Sequence, residues 1–93
     1  MGDNRLTLRI EAPERDVLAL LRKVENVLKV DSLGSKEPQT VDVVVEARRE
    51  ADIRRPVFNA VAKAGYTVLM MKTMDMTLED IFLNLITEEK EVS

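Results

Sequence analysis

Two stretches of this chain alternate apolar and polar residues, the first without a slip and the second broken only at Val44, and they limit its fold more than any other feature. From Asn4 to Glu11, Leu6, Leu8 and Ile10 fall on one side, and Arg5, Thr7, Arg9 and Glu11 on the other. From Thr40 to Glu46, Val41, Val43 and Val45 face one way, and Asp42, Val44 and Glu46 the other. Successive side chains of a strand point to opposite faces, so each run predicts a strand with one buried face.

Helical spacing follows each run. Ala12-Pro13-Glu14 leads into a helix with Val17, Leu20, Leu21 and Val24 as its stripe and Leu18 at the margin. Proline is tolerated in a first turn, and Glu14 and Asp16 suit the positive end of the helix dipole. Glu25-Asn26 is the expected stop. Leu28 to Leu33 alternates again, with Leu28 and Val30 inward, and the polar Gly34–Gln39 stretch reads as a hairpin loop. After the charged link Ala47–Ala51, Asp52 is placed to cap a second helix. Its stripe is Ile53, Val57, Phe58, Val61 and Ala64. Pro56 conflicts with that cap, because near the fourth helical position it removes one backbone bond; the alternative is a start at Pro56 itself. Gly65 stands where a helix end prefers a left-handed residue.

The fourth strand, Tyr66 to Thr73, breaks the alternation, since Val68, Leu69, Met70 and Met71 are all apolar. A strand apolar on both faces predicts cover on both. The expected cover is a third helix, with Val44 beside it. Leu78, Ile81, Phe82, Leu85 and Ile86 share one helical stripe. Thr77 is its N-cap, answered by Asp80 three residues on. Met1-Gly2-Asp3 reads as a leader, and Glu88–Ser93 as a polar end.

This order of elements predicts an α+β fold: a ferredoxin-like βαββαβ sandwich in one domain spanning residues 1–93. Four antiparallel strands carry two helices on one face, with an extra C-terminal helix. A chain of 93 residues buries about 60–65% of its unfolded surface, enough for one modest core. With 45% apolar and 33% charged residues the composition is that of a globular chain, not a disordered one.

The chain has no cysteine and no histidine, which removes disulfides, thiol and imidazole catalysis and the usual zinc sites. Net charge is −3, so bulk attraction to nucleic acid or anionic lipid is not expected. The apolar runs are too short for a membrane span. An acylphosphatase of this topology needs an arginine in a backbone anion cradle, and Pro13 lacks the N–H that such a cradle uses, leaving Arg15 alone. An RNA-recognition module needs outward aromatics on the central strands, where this chain has Arg5, Thr7, Arg9, Asp42 and Glu46. Arg48, Arg49, Arg54 and Arg55 cluster near the second helix, read as solvated charge beside Glu46, Glu50 and Asp52. Met70, Met71, Met74 and Met76 read as core filling, since no other soft ligand accompanies them. Glu79 and Asp80 are adjacent and serve capping, so no catalytic site is read.

The segments Arg55–Gly65, Val68–Met71 and Thr77–Leu85 carry a resemblance. They resemble the C-terminal domain appended to ATP-binding subunits of ABC transporters, especially of the drug-export and ABC-2 type. In that family a helix ending Ala-Gly leads to an apolar strand, and the chain closes on a Ser/Thr-Leu-Glu-Asp/Glu-Val/Ile-Phe-Leu helix. Thr77, Leu78, Glu79, Asp80, Ile81, Phe82 and Leu83 match that closing motif, and the stripe continues to Leu85. Residues 6–45 match in pattern only. The chain lacks the phosphate loop and magnesium-binding acid of the motor. The resemblance therefore implies a non-enzymatic accessory domain without cofactor, with ATP and Mg confined to an ATPase domain outside this chain.

The partners it implies are that nucleotide-binding domain, a second ATPase subunit and a membrane permease. It implies a cytoplasmic place at the inner face of the membrane, reached through the permease without direct insertion. Thr77–Leu85 is the expected docking or domain-completing helix. The alternative reading is a free-standing ACT-like domain that senses a small molecule or homodimerises through a sheet edge.

Overall fold

The chain alternates strand and helix in the order read from its periodicity. The computed structural model describes residues 4–75. They form β1 (Asn4–Glu11), α1 (Glu14–Arg22), β2 (Val27–Gly34), β3 (Val41–Ala47), α2 (Arg54–Lys63) and β4 (Thr67–Asp75). The sheet order is β2-β3-β1-β4 and every neighbouring pair is antiparallel. Each helix thus joins two parallel strands that lie one strand apart. This is an α+β architecture, consistent with a ferredoxin-like sandwich.

Both helices cover the same face. Leu6, Leu8 and Ile10 of β1 and Val41, Val43 and Val45 of β3 meet Val17 and Leu21 of α1 and Val57 and Val61 of α2 in one buried cluster. Burying each such side chain is worth about 1.5–3 kcal/mol, so these ten residues set the layer spacing. Met71 and Val68 pack at the cluster's margin, in keeping with core filling by Met71.

The edge strand β2 departs from simple alternation. Val27 pairs with Ala47 but Lys29 pairs with Glu46, leaving Leu28 as an extra residue. That bulge turns Leu28 outward, 53% exposed, so the expected inward Leu28 is incorrect; Val27 packs against the core instead. A second irregularity lies between Ser32 and Gly34, beside the exposed Leu33. Two interruptions on one edge make a poor template for strand addition.

The helix ends follow local chemistry. In α1 the Pro13 carbonyl accepts the Val17 N–H at 3.1 Å, so the proline sits just before the helix, where its missing donor costs nothing. α1 stops at Arg22, earlier than the Glu25-Asn26 stop read from sequence, and Asn26 adopts φ +72°. α2 starts at Arg54, and Pro56 is its third residue. The first intrahelical bond is Val57 N–H to Ile53 carbonyl at 2.9 Å, so the proline removes none. Asp52 still serves the helix start from one residue further out, accepting the Arg54 backbone N–H at 3.1 Å.

The α2 stripe is narrower than expected. Ile53, Val57 and Val61, four apart, are buried, while Phe58 is 50% exposed and Ala64 is exposed. Phe58 lies about 100° round the helix from Val57, on its flank, so its expected core place is corrected. At the far end Gly65 has φ +86°, and its N–H reaches the Ala62 carbonyl while Tyr66 N–H reaches that of Val61, at 2.9 and 3.1 Å. These two bonds form a Schellman stop.

The apolar doubling of β4 has a local cause. Arg9 pairs with Met70 and Ile10 with Val68, so Leu69 is an inserted residue, 46% exposed. A bulge, rather than cover on both faces, accounts for one of the four consecutive apolar positions. The expected third helix, with Met76, lies outside the described residues.

Candidate functional site

The sheet face turned from the helices carries a row of charged side chains. β1 contributes Arg5, Thr7 and Arg9, β3 Asp42, Val44 and Glu46, β2 Lys29 and Asp31, and β4 Met70 and Lys72. Opposite charges meet across strands: Glu46 stands between Arg5 and Lys29 in register, and approaches Arg5 at 3.7 Å.

At the centre is a three-residue ion cluster. Arg9 Nε donates to Asp42 Oδ1 at 2.8 Å and Arg9 Nη2 to Asp42 Oδ2 at 3.0 Å, a two-pronged pair across the β1–β3 register. Arg9 Nη1 donates to Glu37 Oε2 at 2.6 Å. Asp42 is only 4% exposed although it lies on the open face. The hydrogen bonds from Arg9 hold its carboxyl below the ordinary carboxylate range, against the opposing effect of burial. The same bonds to Asp42, then Glu37, push the Arg9 guanidinium higher. Both carboxylate oxygens of Asp42 are occupied, which makes it a poor proton acceptor and a good clamp. Through Glu37 the clamp ties down the β2–β3 hairpin, where the Glu37 carbonyl also accepts the Thr40 and Ser35 hydroxyls at 2.8 and 2.7 Å.

Two other clasps pin the ends. The Asn4 side-chain amide donates to the carbonyls of Arg48, at 3.0 Å, and Ala51, so β1 holds the β3–α2 turn. The Tyr66 hydroxyl donates to Asp16 Oδ2 at 2.9 Å, joining the start of β4 to α1, and that bond raises the phenol.

The arginines near α2 separate on inspection. Arg54 chelates Asp52, with Nε and Nη2 at 2.9 and 2.8 Å, and this pair holds Asp52 below its ordinary range. Glu46 approaches Arg5 across the β1–β3 register. Arg55 lines a shallow groove with Arg54, Phe58, Asn59 and Met71, on the outer flank of α2 beside β4. A second groove, lined by Glu11, Ala12, Pro13, Glu14, Gln39, Thr40 and Tyr66, lies where β1 turns into α1.

Among the described residues, no group of three or more histidine, cysteine, aspartate or glutamate side chains could hold a metal ion. No described helix is long and apolar enough to cross a membrane. The motif residues Thr77, Leu78, Glu79, Asp80, Ile81, Phe82, Leu83 and Leu85 lie outside the described residues. Sequence reading missed the Arg9–Asp42–Glu37 cluster, the Asn4 clasp and the Tyr66–Asp16 bond. Arg9 and Asp42 were each correctly placed on a polar face, but their meeting depends on the β1–β3 register.

The class defined by these features is an α+β sandwich with one packed and one ion-paired sheet face. No protein-family model and no curated protein matches the chain.

Proposed function

We infer that this chain is a non-catalytic accessory domain of an ABC transporter ATP-binding protein, which docks on the nucleotide-binding domain or its dimer and tunes it beneath a membrane permease. The observation that carries the reading is the run Thr77-Leu-Glu-Asp-Ile-Phe-Leu83 downstream of a helix ending Ala64-Gly65 and an apolar strand. The middle of that signature is supported in form: α2 ends in a Schellman stop at Gly65, and β4 begins two residues later. The lowered carboxyls of Asp42 and Asp52 have arginine partners that explain them structurally, which suits a module acting by contact rather than by chemistry.

The reading frame around the coding sequence tests this. An in-frame ATP-binding domain upstream of Met1 is the expected finding. A frame that opens at Met1 contradicts it, as does nucleotide hydrolysis by the purified chain alone.

A second reading, a free-standing ACT-like sensing domain, draws on the groove between Glu11–Glu14, Thr40 and Tyr66. Saturable amino-acid binding there, abolished by Tyr66→Ala, would favour it over the first.

A further inference from the structure

The open face of the sheet carries its charge in rows that run across the strands. In register, Lys29, Glu46 and Arg5 make one row, ending at the Met74 position. Asp31, Val44, Thr7 and Lys72 make the next, and Asp42, Arg9 and Met70 the last. The rows are polarised alike: the acid lies on β2 or β3 and the base on β1 or β4, with Lys29 the exception. Such a face is its own complement. When a second copy is turned over a two-fold axis parallel to the strands, β1 and β4 of one copy lie over β3 and β2 of the other. Row by row, Arg5 then meets Glu46, Lys72 meets Asp31, Arg9 meets Asp42 and Thr7 meets Val44. Lys29 falls on the uncharged Met74 position. A two-fold across the strands instead lays Arg5 over Arg9 and Glu46 over Asp42, like on like, so charge selects between the two arrangements.

The side chains have capacity left for this. Lys72 is exposed and has no ion pair among the described residues. Asp31 is held only by Lys29 along its own strand, at 3.6 Å, with both side chains more than half exposed. Arg5 and Glu46 stand 3.7 Å apart and partly open. The Arg9–Asp42 clamp is closed within each copy, so its part is to avoid repulsion rather than add attraction. Val44 and Met70 are half-buried apolar groups within the rows. Leu33, 47% exposed, adds to them at the β2 edge: Ser32 beside it bonds Glu14 of α1, and alternation turns Leu33 to the open side. Leu28 and Leu69 are the inserted residues of the edge bulges, and Phe58 belongs to the helix layer; nothing at those three selects a partner, whereas the rows do.

We propose that two copies of this chain pair through their open sheet faces, about a two-fold axis parallel to the strands, in a helix–sheet–sheet–helix stack. Aligned sheets pack about 10 Å apart with their strands within about 30° of each other. Four strands about 4.8 Å apart and roughly 20 Å long offer about 400 Å² of face on each copy. That is about half the area each partner gives to a stable complex, so the dimer is transient, with a Kd on the order of 0.1 mM. The inference goes beyond the transporter reading and does not depend on it, since it concerns how this chain meets itself.

Sedimentation equilibrium of the intact 93-residue chain, from about 10 µM to 1 mM, tests it together with isotope-filtered Overhauser contacts in mixed labelled and unlabelled chains. A monomer–dimer equilibrium is expected, weakening towards about 1 M salt, where the screening length falls to about 3 Å. Contacts between copies should join the Thr7 methyl to the Val44 methyls. Lys72→Glu alters two symmetry-related contacts and should raise the dimer Kd about tenfold, and Asp31→Lys added to it should restore most of the loss. Contacts within a copy between Leu8 and Val43 report whether each variant keeps its fold. A monomer throughout, between-copy contacts centred on Leu28, Leu69 or Phe58, contacts to Val44 from residues 76–93 of the same chain, or a Kd indifferent to Lys72→Glu would each overturn the inference. The position of the reading frame has no bearing on these outcomes, so this inference and the transporter reading fail independently.

Discussion

The two faces of the sheet are built from the same strands, residue by residue in alternation, yet they are held by different forces. Beneath the helices Leu8, Val43 and Val45 are wholly buried among apolar neighbours. On the other side Arg9, Asp42, Glu46 and Arg5 are held by charge and register. The first face fixes that the chain folds, because apolar burial is large and non-directional. The second fixes how the strands are aligned, because a two-pronged guanidinium–carboxylate pair tolerates little slip. A one-residue slip of β1 against β3 would break both at once.

The sharpest way to break this contrast is one substitution on each face of β3. Val43→Lys places an ammonium among Leu8, Val17 and Val57, and loss of the folded state is expected in circular dichroism. Val44→Lys stands opposite Asp31 on the open face, and the chain should stay folded, within about 1 kcal/mol of the parent. Equal effects would mean that the faces do not differ as described.

Next in size is Leu8→Ala, which opens a cavity at a fully buried site and should cost about 2–5 kcal/mol in urea unfolding.

The open face should then declare itself through pH. The Asp42 carboxyl is depressed in the folded chain, so its pair with Arg9 stabilises fully above the unfolded carboxylate value of about 3.9 and is lost as pH falls through the folded value. Stability of the parent should drop on acidification below about pH 4, and Asp42→Asn should remove that part of the drop while lowering stability at pH 7. A parent and variant with parallel profiles would show that the clamp contributes little.

Smallest is Gly65→Ala. Nothing crowds the missing Cβ, so the cost is the left-handed backbone alone, about 1 kcal/mol by thermal unfolding.

How far the sequence disclosed this molecule follows the same division. The buried face of β1 and β3 was readable because strict alternation needs no partner to be recognised. The Gly65 stop was readable because left-handed backbone selects glycine, and its φ of +86° meets that expectation. Leu28 and Leu69 were misread because a bulge is a property of two strands in register, invisible to the periodicity of one. Phe58 was misread because a helix stripe has a width that only its neighbours set. Pro56 posed a conflict that vanished once the helix start moved by one residue, from after Asp52 to after Ile53. Of the candidate residues, Arg9 and Asp42 were legible as polar and outward, while their clamp was not. The closing motif at Thr77–Leu83 was legible as a resemblance and as an amphipathic spacing, and it is the resemblance that carries the functional reading.

That reading makes the chain a module whose effect is exerted on a neighbouring ATPase. The most direct measurement is ATP turnover and transport by a complete ATP-binding subunit with its permease, with and without the region equivalent to residues 4–93. A changed turnover or transport rate, with the nucleotide-binding domain still folded and still binding ATP, is the predicted result. Unaltered rates in both assays would contradict the account.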